Sequence, residues 1–269
     1  MSGKKVGLAL GGGVARGMAH IGVLEVLQQE GIPIAFIAGT SIGAAIGAVY
    51  AGTSDAGQLR RWITRQSRRQ LAAFIDLSLP KTGFIKGDKL RELLASFLGG
   101  EPSFGEMKIP FACVAADIDT GEEIVIKKGS VIDAVRASIS LPGIFTLTED
   151  EGRFLVDGGL VNPVPVNVVR DMGADLTIAI NVIPDAKALS ERERSKEHPG
   201  LIHIIMQSIY IGNYSLVRSS LEEADVVIQP QVAHVGAGDF HLAAECIHQG
   251  TLATKVALPE IKRLLGTVG

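Results

Sequence analysis

Residues 34–52 read IAFIAGTSIGAAIGAVYAG, nineteen positions without a charge. A chain must bury such a stretch either in a bilayer or in its own interior. The length, and glycines at 39, 43 and 47, fit a membrane span with small-residue packing faces. Against that, Gly39-Thr40-Ser41 interrupts the run where a strand would hand over to a helix. The reading adopted is a buried strand, a tight turn and a buried helix.

A strand and helix that are both buried need cover on each side, and the preceding residues supply it. KKVGLAL at 4–10 suits a buried parallel strand. Residues 17–30 cluster Ile21, Val23, Leu24, Val26 and Leu27 on one helical face before Gly31 and Pro33 stop the helix. This β-α-β-α opening predicts an α/β fold of three layers, α/β/α, on a mostly parallel central sheet. Further strands are expected at 109–116, 123–127, 153–156, 175–182 and 225–229. Helices are expected within 53–104, where Asp88 would cap the second, at 130–138 behind a Ser130–Asp133 capping box, at 201–223 and at 239–265. The polar segment PDAKALSERERSKEHPG, 184–200, has no apolar period and reads as a mobile surface loop. No repeat or long linker divides the chain, so a single domain is expected over 1–269, with its core motifs at 5–180 and a helix-strand-helix close at 201–265.

Charge and cysteine content narrow the partners. A net charge of −3 provides no broad positive field for phosphates, so nucleic acid is not expected to bind. Cys113 and Cys246 are too few for a disulfide or zinc framework, and Gly11, Gly12 and Gly13 break the N-terminal apolar run before a signal core can form. The expectation is a cytoplasmic protein without a metal or other cofactor. In GQLRRWITRQSRRQ, Arg61, Arg65, Arg68 and Arg69 fall on or near one helical face beside Trp62. That face is either a peripheral contact with anionic lipid headgroups or, more commonly for an exposed charge run, a solvated surface. Nothing in the sequence specifies an oligomeric state.

The uncharged stretch also carries chemistry. Gly39-Thr40-Ser41-Ile42-Gly43 matches G-x-S-x-G, a serine on a strained strand-to-helix turn whose following helix aims backbone N–H groups at a developing oxyanion. Flanking side chains would crowd that turn, which accounts for Gly39 and Gly43. A second glycine-rich loop, Gly11–Gly13, follows the first strand. It fails as a dinucleotide fingerprint: Arg16 replaces the last glycine counted from Gly11, and Val14 the second counted from Gly12. In a parallel sheet both loops leave the carboxyl edge, which brings the N–H groups of Gly12 and Gly13 over Ser41. For a base, none of His20, His198, His203, His234, His241 and His248 has a convincing setting. Asp157 does: it ends the strand RFLV and precedes Gly158-Gly159, which free the backbone to turn sharply.

LALGGGVARGMAHIGVL, GTSIGAAIGAVYAG, ASISLPGIF and FLVDGGLVNPVPV, in this order, strongly resemble the patatin-like phospholipase family, over most of 5–180 and more weakly to the end. The resemblance implies a Ser-Asp pair without histidine, with Ser41 as nucleophile and Asp157 as general base. It also implies an oxyanion hole from the backbone of Gly12 and Gly13, with Arg16 tying down or polarising that loop and Gly39, Gly43 and Gly158 in support. Val14 stands where the family often has a third glycine, so a stiffer or narrower loop is expected. The implied function is a serine esterase or lipid acyl hydrolase of phospholipase A or lysophospholipase type, acting on lipid or other acyl esters. Alternatives are acyl transfer to another acceptor, thioester cleavage, or an idle module that binds lipid or protein. An aspartate base predicts activity persisting below the pH at which a histidine-based enzyme fades.

Overall fold

The first two strands, β1 (Val6–Leu10) and β2 (Ile34–Thr40), pair in parallel with Leu10 beside Gly39, so the loops that follow them open on one sheet edge. These features come from a computed structural model, in which residues 3–65, 87–184 and 201–266 are described. A 3-10 turn (Val14–Met18) and α1 (Ala19–Gln29) join the two strands, and α2 (Ile42–Thr53) starts directly behind Ser41. The uncharged run is therefore strand, turn and helix. Among the described residues no helix is long and apolar enough to cross a membrane.

Beyond α2 come α3 (Ala56–Arg65), α4 (Asp88–Leu98), β3 (Phe111–Asp117), β4 (Glu123–Ile126), α5 (Val131–Ser138), β5 (Thr148–Asp150) and β6 (Arg153–Asp157). The chain continues through α6 (Val166–Asp171), β7 (Leu176–Ile180), α7 (Leu201–Gly212), α8 (Tyr214–Glu223), β8 (Val226–Ile228) and α9 (Ala243–Leu265). The eight strands form one sheet in the order β5-β6-β3-β2-β1-β7-β8, with β4 also on β3. The run β3-β2-β1-β7-β8 is parallel, whereas β4, β5 and β6 join antiparallel. A mostly parallel sheet in a three-layer α/β/α fold is what the sequence predicts.

The period-two alternation of the central strands sorts the core. Leu8, Leu10, Ile37, Ile178 and Ile180 form one face, buried with α1, α2 and α9, and each contributes about 1.5–3 kcal/mol on burial. The opposite face presents Ala9, Ala38, Ala112 and Ala179, and these short side chains let Val166, Val168 and Val169 of α6 pack close.

Several local expectations change. The helix expected at 201–223 is broken at Asn213, whose side-chain amide turns to donate to the Gly159 carbonyl. Asp88 sits in the first turn of α4 without capping it; Gly87, at φ 83°, is the cap residue. Ser130 does cap α5, accepting from the Asp133 N–H at 3.2 Å. The short strand β5 has no counterpart in the sequence reading. Trp62, partly buried, packs edge-on to Phe97 at 5.7 Å between centroids. Arg61 is paired with Asp55 at 2.6 Å. Arg68, Arg69 and the segment 185–200 lie outside the described residues.

Candidate active site

Ser41 occupies a backbone conformation that L-residues rarely adopt, φ 56° and ψ −123°. Such strain persists only where the surroundings over-determine it. Here its N–H donates to Ser138 Oγ at 2.8 Å, and Ser138 Oγ in turn donates to the Val114 carbonyl at 2.6 Å. Its carbonyl accepts the N–H groups of Ala44 and Ala45 at 2.9 and 3.1 Å, which opens α2. Space around the turn is minimal: a Cβ on Gly43 would lie 2.1 Å from the Leu10 carbonyl oxygen, and one on Gly39 2.5 Å from the Gly43 carbonyl oxygen. The crowding expected from the motif spacing is present.

The opposite wall is built by β6, which runs antiparallel to β3 with Asp157 opposite Ala115. The Asp157 N–H donates to the Ser140 carbonyl at 3.0 Å, fixing the end of the strand. Its Oδ1 accepts the Gly159 N–H at 2.7 Å, and its Oδ2 accepts the Ser41 hydroxyl at 2.6 Å. Residues 116 positions apart are thus in direct contact. Burial pushes the Asp157 carboxyl up to about 6, against the opposing pull of the Ser41 and Gly159 hydrogen bonds. Gly158 serves differently from expectation. Neither it nor Gly159 has a positive φ; instead a Cβ on Gly158 would stand 2.2 Å from the Val114 carbonyl oxygen, so glycine lets the turn lie directly on β3.

The glycine loop meets this pair from the β1 side, with Gly12 against Thr40 and Ser41. One expectation needs correcting. The Gly12 N–H already donates to the Pro163 carbonyl at 3.0 Å, so it is not a ready oxyanion donor. The Gly13 N–H has no acceptor among the described residues. Gly13 itself, at φ 155°, lies so close to Val182 that a Cβ would meet its Cγ2 at 2.6 Å. Val14 sits in the left-handed region at φ 53°, a genuine outlier for a β-branched residue. The valine therefore strains the loop as well as stiffening it.

Val14→Gly should change stability by less than about 1 kcal/mol, because relief of the left-handed strain offsets lost packing and the added freedom of the unfolded chain. Urea unfolding of the two proteins measures this. A loss above about 3 kcal/mol would mean that packing, not backbone strain, governs the position.

Arg16 ties the loop down. Buried at 3% exposure, it donates from Nε to the Val235 carbonyl at 2.7 Å and from a terminal nitrogen to Tyr210 Oη at 3.2 Å, with its guanidinium over the Tyr210 ring. His20 holds the same loop from below. Its Nε2 is 2.8 Å from the Gly11 carbonyl, which can only accept, so the proton is on Nε2 and Nδ1 is left bare and unpartnered among the described residues. Burial pulls this imidazole down to about 4. It is a packing histidine, as its helical setting suggests.

Comparison with known proteins gives the family. The family model described as "Patatin-like phospholipase" matches residues 8–170. The chain belongs to the patatin-like phospholipase family. An "uncharacterized NTE family protein" of Mycobacterium tuberculosis is 36% identical over 182 residues, covering 67% of this chain and 50% of that one. A "Lysophospholipase nte1" of Aspergillus fumigatus is 35% identical over 187 residues, 68% of this chain and 12% of that one. The chain thus spans half or less of these curated relatives. In structure it is similar to VipD from Legionella pneumophila, with a TM-score of 0.54 at 14% identity over 97% of this chain and 67% of that one, a likeness of fold.

Lipid hydrolysis is the activity of this family, and the patatin-like site gathers residues that the sequence reading did not single out. Ser138 anchors the Ser41 turn, Asn213 and Tyr210 come from α7 and the break behind it, and Val235 lies in the loop before α9. Ser138 stands within ASISLPGIF, a segment that the family resemblance marks without giving its serine a role. His234 pairs with Glu245 at 2.5 Å.

Proposed function

We propose that the protein is a serine-dependent lipid acyl hydrolase in which Ser41 and Asp157 act as a pair without histidine. The observation that carries this reading is the 2.6 Å hydrogen bond from the Ser41 hydroxyl to a buried carboxylate. Ser41 Oγ attacks the ester carbonyl carbon while its proton passes to Asp157 Oδ2. The oxyanion lies against the Gly13 N–H and the N-terminus of α2; Gly12 contributes closeness, and donates only if it releases Pro163. Collapse of the adduct breaks the ester bond, and the leaving alcohol takes the proton from Asp157. Water then attacks the acyl-serine, giving its proton to Asp157, and the proton returns to Ser41 Oγ as the carboxylic acid departs. Arg16 is a positioning residue, since its guanidinium is occupied by Val235 and Tyr210.

A fluorophosphonate probe tests the assignment. The expected product is a single adduct on the peptide containing Ser41, formed by folded but not by urea-unfolded protein. An active preparation labelled elsewhere, or not at all, would remove the assignment. Supplying alcohol acceptors with the ester should leave free acid as the main product; a dominant transesterified product would make the protein a transferase.

A further inference from the structure

The residue between Gly39 and Ser41 is a threonine, fully buried at the end of β2. Valine would fill the same space with no polar atom to satisfy, so a hydroxyl buried there needs a partner. Thr40 Oγ1 donates to the Asn162 carbonyl at 2.8 Å, across 122 positions of sequence, and is the donor to that oxygen among the described residues. Its methyl lies 3.9 Å from where a Cβ on Gly12 would stand and 4.0 Å from one on Gly159, so the side chain sits between the glycine loop and the turn behind Asp157. Asn162 is itself held. Its N–H donates to the Gly158 carbonyl at 2.9 Å, closing the turn that follows Asp157, and its side-chain amide donates to Glu123 at 2.8 Å and to Asn167 at 2.7 Å. The next carbonyl, that of Pro163, accepts the Gly12 N–H. The strands that end at the pair are not neighbours, since β3 lies between β2 and β6. The bond from Thr40 therefore joins across the end of β3 what the sheet keeps apart.

We propose that Thr40 is a positioning residue, its hydroxyl setting the approach of Ser41 Oγ to Asp157 Oδ2 by tying the strand of the serine to the loop that follows the carboxylate. This rests on Ser41 and Asp157 being the reacting pair.

Three substitutions separate hydroxyl from methyl. Thr40→Val keeps the shape and leaves the Asn162 carbonyl without its donor. Its kcat on p-nitrophenyl butyrate should fall at least tenfold with KM within about threefold, because displacing reacting groups by about 1 Å costs about 10²-fold. Thr40→Ser should stay within about threefold of wild type, and Thr40→Ala should match Thr40→Val. The acid limb of kcat/KM should move to higher pH in Thr40→Val, since the Ser41 hydrogen bond favours the ionised carboxyl and is weakened. A hydroxyl that only stabilises the fold would lower the urea midpoint and move neither readout. A fall in kcat of less than tenfold, or an unmoved acid limb, overturns the proposal. If Thr40→Val fails to fold, the same two readouts on Thr40→Ala against Thr40→Ser decide, and failure of both hydroxyl-free variants to fold also overturns it. Ser41→Ala and Asp157→Asn separate the two readings. Turnover lost in both while Thr40→Val matches wild type sinks only the role of Thr40, whereas turnover surviving in either sinks the pair and the positioning role together.

Discussion

Ser41→Ala and Asp157→Asn should each lower kcat/KM for a carboxylic ester by at least about 10³-fold, and the double variant should be no slower than the worse single one. The reason is that both residues serve one proton transfer, so removing either removes the step. Asparagine is close in shape to aspartate, yet it cannot reproduce both contacts. If its oxygen keeps the Gly159 N–H, its amino group faces Ser41 Oγ and donates where a proton must be accepted. Steady-state rates of the three variants on one ester decide the matter, and multiplying single effects in the double variant would show that the residues act separately. In the wild type, kcat/KM should fall with acid through the Asp157 titration near 6. Burial brings that carboxyl close to an ordinary imidazole, so the acid tolerance expected of an aspartate base is narrow.

The second large effect is on stability. Asp157 titrates at about 6 when folded against 3.8 ordinarily, so its contribution is present below 3.8 and lost as pH rises through 6. His20 titrates at about 4 when folded against 6.5, so its contribution is present above 6.5 and lost as pH falls through 4. Each amounts to roughly 3 kcal/mol at 1.36 kcal/mol per pH unit, with opposite sign over nearly the same window. The wild type should therefore show little dependence on pH from these two groups. Asp157→Asn removes one slope and exposes the other: relative to wild type, the variant should gain roughly 3 kcal/mol between pH 4 and 7. Urea unfolding at four pH values across that range reads the difference. Parallel profiles would mean that the carboxyl is not held in an apolar setting.

What the sequence conveyed depended on whether residue type alone carries the demand. A tight strand-to-helix turn at Ser41 needs Gly39 and Gly43 for space, so the turn could be found from spacing. A carboxylate ending a strand before two glycines was visible for the same reason, although Gly158 turned out to serve a close approach to Val114 rather than a special dihedral. The Gly12 hydrogen bond to Pro163 was not legible, because it depends on where a distant loop comes to rest. The break at Asn213 was hidden by apolar periodicity on both sides of it, and only the Gly159 carbonyl explains why the helix stops there. Trp62 shows the reverse case, an aromatic beside a charge run that packs against Phe97.

The tether from Asn213 to Gly159 bears on where this protein may be cut. The family match ends at residue 170, yet the turn holding the Asp157 carboxylate is braced from residue 213, and the Arg16 anchor from residues 210 and 235. A fragment ending at the boundary of the recognisable motifs would keep Ser41 and Asp157 but lose these contacts to the Asp157 turn and the glycine loop, so the C-terminal third braces the candidate site.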